Sequence, residues 1–518
     1  MEPYAFIKNW YHNLSKQTKI TFVFSWIFGM AAHIYVITNS VQNYDSVTWF
    51  PKGVGAGIKS GRWMLNIFKS LESIGGCYNL PVFNGLLTLL VLAISACIIV
   101  NIFRIKDMLH CVLLGGILIC FPSVTSTMVF MYTAPYYAIA ILLSVLAVWL
   151  YERWKFGFLG SIVCIACALG TYQAYLPLTA SLFLVLLIYK CIDEELNWKK
   201  GIVLGIRYLV TMLLGVLLYY LVLQILLKCW NYSLTDYQGI SDMGKISVST
   251  LGESVKKTYY NCVGLIKQDY ESLNNTVVIR CCILGMYLCS ILLGVILVFG
   301  ARRRFQERVI IILLVLIIPI AVDSIEILCP NSRIYTLMLY SMSSLYLLPI
   351  LVIELFERKF ENRMKIRTIS KWIVSICMIV VIVSYTYSSN GAYMLMDYTE
   401  SQTENHLSSL IDRIKNVPGY KDELPVVFVG DNIEDETIVN KWENSPFNYG
   451  GTATNLLNTY SRRSFMINIL GYSYNKPTSN EKKKIMGNPK VWEMPVYPDD
   501  GSIEVIDDIV VVRLADAE

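Results

Sequence analysis

The sequence predicts an α-helical polytopic membrane protein of about eleven transmembrane helices with a small C-terminal α/β domain, and three observations predict it. Of 518 residues, 55% are hydrophobic and only 16% charged, against about 25% in soluble domains, and the mean hydropathy is +0.50. Apolar runs recur along the chain, among them Leu86 to Phe103, Ile202 to Leu227 and Val277 to Gly300. Most can cross a hydrocarbon core about 30 Å thick. Beyond residue 388 the runs stop and a mixed helix and strand pattern takes over.

In chain order the spans fall at 21–41, 82–103, 108–125, 134–151, 157–172, 174–191, 202–228, 277–300, 309–323, 334–356 and 371–388. An odd number puts the termini on opposite sides. Twenty lysines and arginines between Lys8 and Lys371 share the side of the N-terminus, against five (Lys52, Lys59, Arg62, Lys69, Arg333) in the short loops opposite. The positive-inside rule then makes residues 1–20 cytoplasmic in a multi-pass plasma-membrane protein. The first span shows no small-x-small cleavage signal after it and reads as a retained anchor. A transmembrane domain over 21–388 follows, with exterior loops at 42–81 and 229–276 and an extracytoplasmic α/β domain over 389–518. In that last domain Leu407, Leu410, Ile411 and Ile414 share a helix face, and strands are expected at Pro425–Val429, Phe465–Leu470 and Ile506–Leu514. It carries neither a glycine-rich phosphate loop nor a Ser/His/Asp arrangement.

The net charge of +5 does not indicate nucleic acid, because the basic residues form short clusters between spans without interleaved stacking aromatics. Most of the 14 cysteines lie inside apolar runs as small hydrophobes, which gives no disulfide framework. The pair Cys164/Cys167 has no partner pair, and His12, His33, His110 and His406 are scattered over different sides and depths, so no zinc or histidine metal site is expected.

The most informative stretch follows the first span, running from Val41-Gln-Asn-Tyr-Asp45 to Gly61-Arg62-Trp63. Beyond it Met64, Ile67, Phe68 and Leu71 repeat at helical spacing opposite Asn66, Lys69, Ser70 and Ser73, the pattern of an interfacial amphipathic helix. Such a helix brings Asp45, Lys52, Lys59 and Arg62 to headgroup level, beside a lipid-linked phosphate. A carboxylate there can take a proton from an acceptor hydroxyl while a cation steadies the departing phosphate. Two plainer readings stay open: Asp45 as a solvated boundary residue, and Arg62 as a headgroup anchor.

Tyr172, Gln173 and Tyr175 occupy the exterior turn between spans five and six, where irregular backbone needs protein or a water-filled cavity around it. The tyrosines also fit an aromatic belt, which leaves Gln173 as the more pointed signal. Asp323 closes span nine, and Arg333 opens span ten on the same side, where it is either a phosphate-pairing residue or an interfacial anchor. Lys256, Lys257 and Lys267 read as a solvated face.

Asn43-Tyr44-Asp45 after span one, Gly61-Arg62-Trp63 some sixteen residues on, and Gly170-Thr-Tyr-Gln-Ala-Tyr175 together resemble the bacterial O-antigen glucosyltransferase family of Gtr type II, over about residues 20–390. The resemblance implies a GT-C-type enzyme that uses a polyprenyl-phosphate sugar and carries an essential acid in its first exterior loop, the position of Asp45. Two adjacent acids are common at that spot, whereas Ser46 follows here. A lone carboxylate is a poor magnesium or manganese site, so no divalent cation or other cofactor is assigned. The implied reaction is an inverting transfer of a hexose, by default glucose, to a cell-surface glycan. Asp45 is then the base, and Lys52, Arg62 or Arg333 stabilises the leaving phosphate. A transporter or flippase of lipid-linked sugars is the rival; it would show charges at the bilayer midplane or a repeated half with broken helices. A third reading is a non-catalytic sensor or scaffold whose tail binds a partner.

Overall fold

A computed structural model of the chain describes residues 2–70, 78–235, 248–267, 277–300, 303–330, 333–360, 362–430, 447, 449, 451 and 456–515. Each expected span has a helical counterpart. Among the described residues, nine helices are long and apolar enough to cross a membrane, and counting the pair Met108–Cys120 and Pro122–Val129, bent by 41°, as one span gives a tenth. The eleventh, Gly157–Thr171, has only 15 residues, about 22 Å at 1.5 Å per residue. Many large apolar side chains of Trp198–Cys229, Val277–Phe299 and Phe305–Val322 point outward, among them Leu213, Leu217, Leu292 and Leu313. Lipid-facing helices require that distribution.

The bend has a plain cause. Pro122 lacks an N–H and drives Phe121 into an extended conformation, so the helix cannot continue through it. Every residue of Pro122–Val129 is buried, and Ser123 donates to the Leu337 carbonyl at 3.0 Å. The expectation of a span from residue 334 needs correction at its start. Residues Thr336–Met338 and Tyr340–Ser343 form two 3-10 turns, and the α-helix proper is Ser344–Lys359. The irregular backbone is tolerated because it is packed in protein and lines a cavity.

The basic helix ends gather at one end of the bundle. Glu354 accepts from the His110 ring and from the Asp107 backbone N–H, both at 2.9 Å, while Arg358 donates to the Arg104 carbonyl. Arg303 reaches the carbonyls of Cys191 and Ile192 at 2.9 Å each, and Lys371 pairs with Asp107. The loop after the first span and the turn between Gly157–Thr171 and Leu176–Asp193 lie at the opposite end.

The last span does not stop at residue 388. A single helix runs from Met364 to Asn416, so the boundary placed at 388/389 falls within it. Its far end carries Leu407, Leu410, Ile411 and Ile414 into the C-terminal unit, as their spacing predicts. There a three-stranded sheet, β1 (Val426–Val429), β2 (Ile503–Ile506) and β3 (Ile509–Arg513), has the order β1-β3-β2, with β1 parallel and β2 antiparallel to β3. Alternate β3 residues serve opposite faces: Val510 and Val512 meet the long helix, and Ile509 and Val511 meet Ile485 and Val491. The expected strand at Phe465–Leu470 is instead the helix Arg462–Asn468. Arg462, Phe465, Met466 and Ile469 recur at i, i+3, i+4 and i+7, and a run this short can read either way. The expected strand Ile506–Leu514 divides into a hairpin at Asp507 and Asp508, both with positive φ (52° and 58°).

Candidate active site

After the first span ends at Thr38, the chain turns into a five-residue helix, Tyr44–Thr48. Asn43 starts it, accepting from the backbone N–H groups of Asp45 (2.9 Å) and Ser46 (2.7 Å). The Ser46 hydroxyl accepts in turn from the Asn43 N–H at 2.7 Å, closing a capping box. Two further bonds anchor the helix. The Asn43 amide donates to the Val129 carbonyl at 2.8 Å, and the Gln42 N–H donates to Glu400 at 2.8 Å. Asp45 therefore stands on a pinned backbone, half-buried, with its Oδ1 accepting from the Tyr460 hydroxyl at 2.9 Å.

Arg62 follows a 3-10 turn, Ile58–Ser60, that ends in Gly61 at φ 72°. That conformation favours glycine, and so does the space, because a Cβ on Gly61 would sit 2.6 Å from Gln173 Nε2 and from the Tyr219 hydroxyl. Gln173 donates to the Ser60 carbonyl (3.0 Å), and Tyr219 donates to the Gly61 carbonyl (3.1 Å). Next door Gly170 faces the Trp63 indole so closely that a Cβ there would overlap it. The Arg62 guanidinium lies over the Tyr172 ring, 4.6 Å from its centroid, and donates to the Tyr137 hydroxyl at 3.1 Å. Tyr137 and Tyr172 are themselves stacked at 4.6 Å. Each residue of Gly61-Arg62-Trp63 thus meets a partner in or beside Gly170–Tyr175.

The two arrangements face one cavity of about 580 Å³. Asp45 and Trp49 line it on one side, Arg62, Tyr137 and Tyr172 on another, and Tyr132, Thr133, Tyr335 and Tyr460 complete the walls. Burial raises the Asp45 carboxyl above its ordinary range, against the opposing pull of the Tyr460 hydroxyl and the Arg62 cation. A base and a cation beside one aromatic-lined space suit the transfer of a sugar away from a phosphate.

A family model, Glucosyl transferase GtrII, matches residues 34–346. The chain belongs to this family. It is a multi-pass membrane glycosyltransferase with a GT-C-like helical fold. The GtrII match spans Asp45, Arg62, the Tyr172 turn and Tyr335, and it ends before Tyr460. No curated protein and no solved structure matches the chain.

Within this GtrII chain the seven residues singled out from sequence are not all brought together. Asp45, Arg62 and Tyr172 line the cavity. Gln173 lies behind Arg62 and supports its loop. Tyr175, with 0% exposure, packs edge-on against Tyr137 and Tyr172. Lys52 is exposed over the Tyr78 ring, and Arg333 is exposed over Tyr335; neither is among the lining residues. The helix expected downstream is present as Trp63–Ser70. Ile67 is exposed as the pattern requires, but Trp63 and Leu65, outside that pattern, are buried; Leu71 and Ser73 lie outside the described residues.

Sequence reasoning missed Tyr132, Tyr137 and Tyr460, which resemble ordinary belt or loop tyrosines until the chain is folded. It also missed a carboxyl pair. Asp323 and Glu326, 0% and 1% exposed, are joined through Asn261 at 2.7 and 3.0 Å. Lys257, expected on a solvated face, pairs with Glu326 at 2.7 Å.

The Asp45 surroundings do not fit a divalent cation. One Asp45 oxygen takes the Tyr460 hydroxyl, the Ser46 oxygen is committed to Gln42 and Asn43, and an arginine stands across the cavity. Among the described residues no three His, Cys, Asp or Glu side chains are grouped as metal ligands.

Proposed function

We propose that this glycosyltransferase moves a hexose, by default glucose, from a polyprenyl-phosphate donor to a cell-surface glycan at the outer face of the plasma membrane, with inversion at the anomeric carbon. The observation that carries the reading is the placement of Asp45 and Arg62 on one cavity, at the end of the bundle away from the clustered basic helix ends. By the positive-inside rule that basic end is cytoplasmic, which puts the cavity and the C-terminal unit outside.

Asp45 removes the proton from the acceptor hydroxyl as its oxygen attacks the anomeric carbon. The bond from that carbon to the phosphate oxygen breaks, and polyprenyl phosphate leaves with its negative charge facing Arg62. The planar guanidinium, stacked on Tyr172, offers paired donors to the phosphate oxygens. Because burial raises the Asp45 pKa, its proton affinity as a base is higher than that of an ordinary aspartate, and the rate declines as pH falls through that value.

The decisive measurement is transfer by membranes given labelled polyprenyl-phosphate hexose and a lipid-linked glycan. Asp45→Asn lowers it by about 10²- to 10⁴-fold, the usual worth of a general base; undiminished transfer would sink the assignment. One observation favours the rival transporter, namely the helix broken at Phe121-Pro122, whose end supplies the cavity residue Phe130. Scrambling of labelled lipid in proteoliposomes, without covalent change, would select that reading.

A further inference from the structure

The C-terminal unit is built into the cavity rather than hung beside it. Val47, two residues beyond Asp45, has 0% exposure among Leu407, Leu410, Leu457 and Phe465, which belong to the core of that unit. Asn468 donates to the Val47 carbonyl at 2.9 Å, and Glu400 accepts from Gln42 on the other side of the short helix. Between these anchors Tyr460 reaches across a sequence separation of 415 residues to donate to Asp45 Oδ1 at 2.9 Å. Tyr460 is 55% exposed, so its ring presents a face to whatever enters beside Trp49.

We propose that the C-terminal unit completes the acceptor side of the active site, with Tyr460 as the residue that positions Asp45. The proposal rests on Asp45 acting as the base. A carboxylate on a rotatable bond needs a third group to fix its direction, as a base in other catalytic constellations is fixed by its orienting partner. Tyr460 occupies Oδ1 and leaves Oδ2 to receive the acceptor proton. Its ring and the Trp49 indole form an aromatic wall for a pyranose acceptor, opposite the Arg62 side that takes the donor phosphate. The titratable and charged groups facing Asp45 are Tyr460, Arg62 and Tyr132. Of these Tyr460 is the one that donates to the carboxylate, so its loss raises the Asp45 pKa and moves the acid limb of the rate profile to higher pH.

The test uses the full-length protein in membranes, with labelled polyprenyl-phosphate hexose as donor and lipid-linked glycan as acceptor. Tyr460→Phe lowers kcat by about tenfold and moves the acid limb of kcat/KM upward by about one pH unit. Tyr460→Ala in addition raises the acceptor KM about fivefold and leaves the donor KM unchanged. A limb that stays at the wild-type pH in Tyr460→Phe, or a rise confined to the donor KM in Tyr460→Ala, overturns the proposal. Asp45→Asn separates the two layers. If it is inactive while the Tyr460→Phe limb is unmoved, only the positioning role falls; if it is active, the assignment of the base falls and the role of Tyr460 falls with it.

Discussion

The two sides of the cavity are held in different ways. The guanidinium side is secured within the helical bundle: Gly61 gives way to Gln173 and Tyr219, Gly170 to Trp63, and Arg62 lies on Tyr172. The carboxylate side has one anchor within the match, Asn43 on the Val129 carbonyl, and is otherwise secured from outside it, through Tyr460, Glu400 and Asn468, each more than 350 residues away along the chain. The first side lies wholly within the family match and, on the proposed reading, handles the lipid-linked phosphate. The second ties Asp45, the proposed base, to residues beyond the family match, so that on the proposed reading acceptor preference can change without disturbing the donor contacts.

Substitutions can break this contrast one side at a time. The largest effect is expected from Gly61→Ala. A side chain at φ 72° costs about 1–2 kcal/mol. Displacing Gln173 and Tyr219 forfeits two buried hydrogen bonds at about 1 kcal/mol each. Thermal unfolding in detergent should register the loss, and transfer should fall more than about tenfold as Arg62 shifts. Wild-type activity would mean that the paired motifs do not hold the cation.

Glu400→Gln probes the other side. Burial, reinforced by Asp397 and Glu404 and opposed by the Gln42 N–H, pushes the Glu400 carboxyl up to about 7 from its ordinary 4.5. A carboxyl raised in the folded state leaves stability intact below the unfolded value and erodes it as pH climbs from about 4.5 to about 7. The variant should therefore be more stable than the parent by about 3 kcal/mol at pH 8, and equal to it near pH 4.5. A pH-independent difference would break the linkage. The smallest effect is expected from Asn43→Ala, which removes the cap of the Asp45 helix and the buried bond to the Val129 carbonyl, at about 1 kcal/mol each. Its signature is selective: kcat falls while the donor KM holds, since the Arg62 side is untouched.

The same contrast explains how much could be read before folding. Spans announce themselves because a helix must be long and apolar to cross hydrocarbon, whereas Gly61 and Gly170 were visible only as members of two short motifs, and the close approaches that require glycine there appear on folding. The place of Asp45 just beyond a span left it open as a solvated boundary residue, and the family resemblance singled it out; the fold sets it on the cavity. Ser46 looked like a departure from the family pattern, and its hydroxyl proves to close the capping box that holds Asp45 in place. Tyr460 carried no local signal, since its contact with Asp45 exists only once the long helix has delivered the C-terminal unit to the first loop. The helix at Arg462–Asn468 and the turn at Asp507-Asp508 were missed for a different reason. Seven residues of mixed polarity do not select a period, and two aspartates are a weaker hairpin signal than asparagine-glycine.

The 53 residues of Met364–Asn416 amount to about 80 Å of unbroken α-helix. A shaft of this kind makes the height and the phase of the outer unit matters of arithmetic. Each residue added between the membrane and Leu407 would lift the unit by about 1.5 Å and swing it by about 100°. A single insertion there would carry the Tyr460 hydroxyl off Asp45 without altering any residue of the cavity. Even a whole turn, which restores the phase, would still lift the unit by about 5.4 Å, so the contact between Tyr460 and Asp45 fixes the length of the shaft.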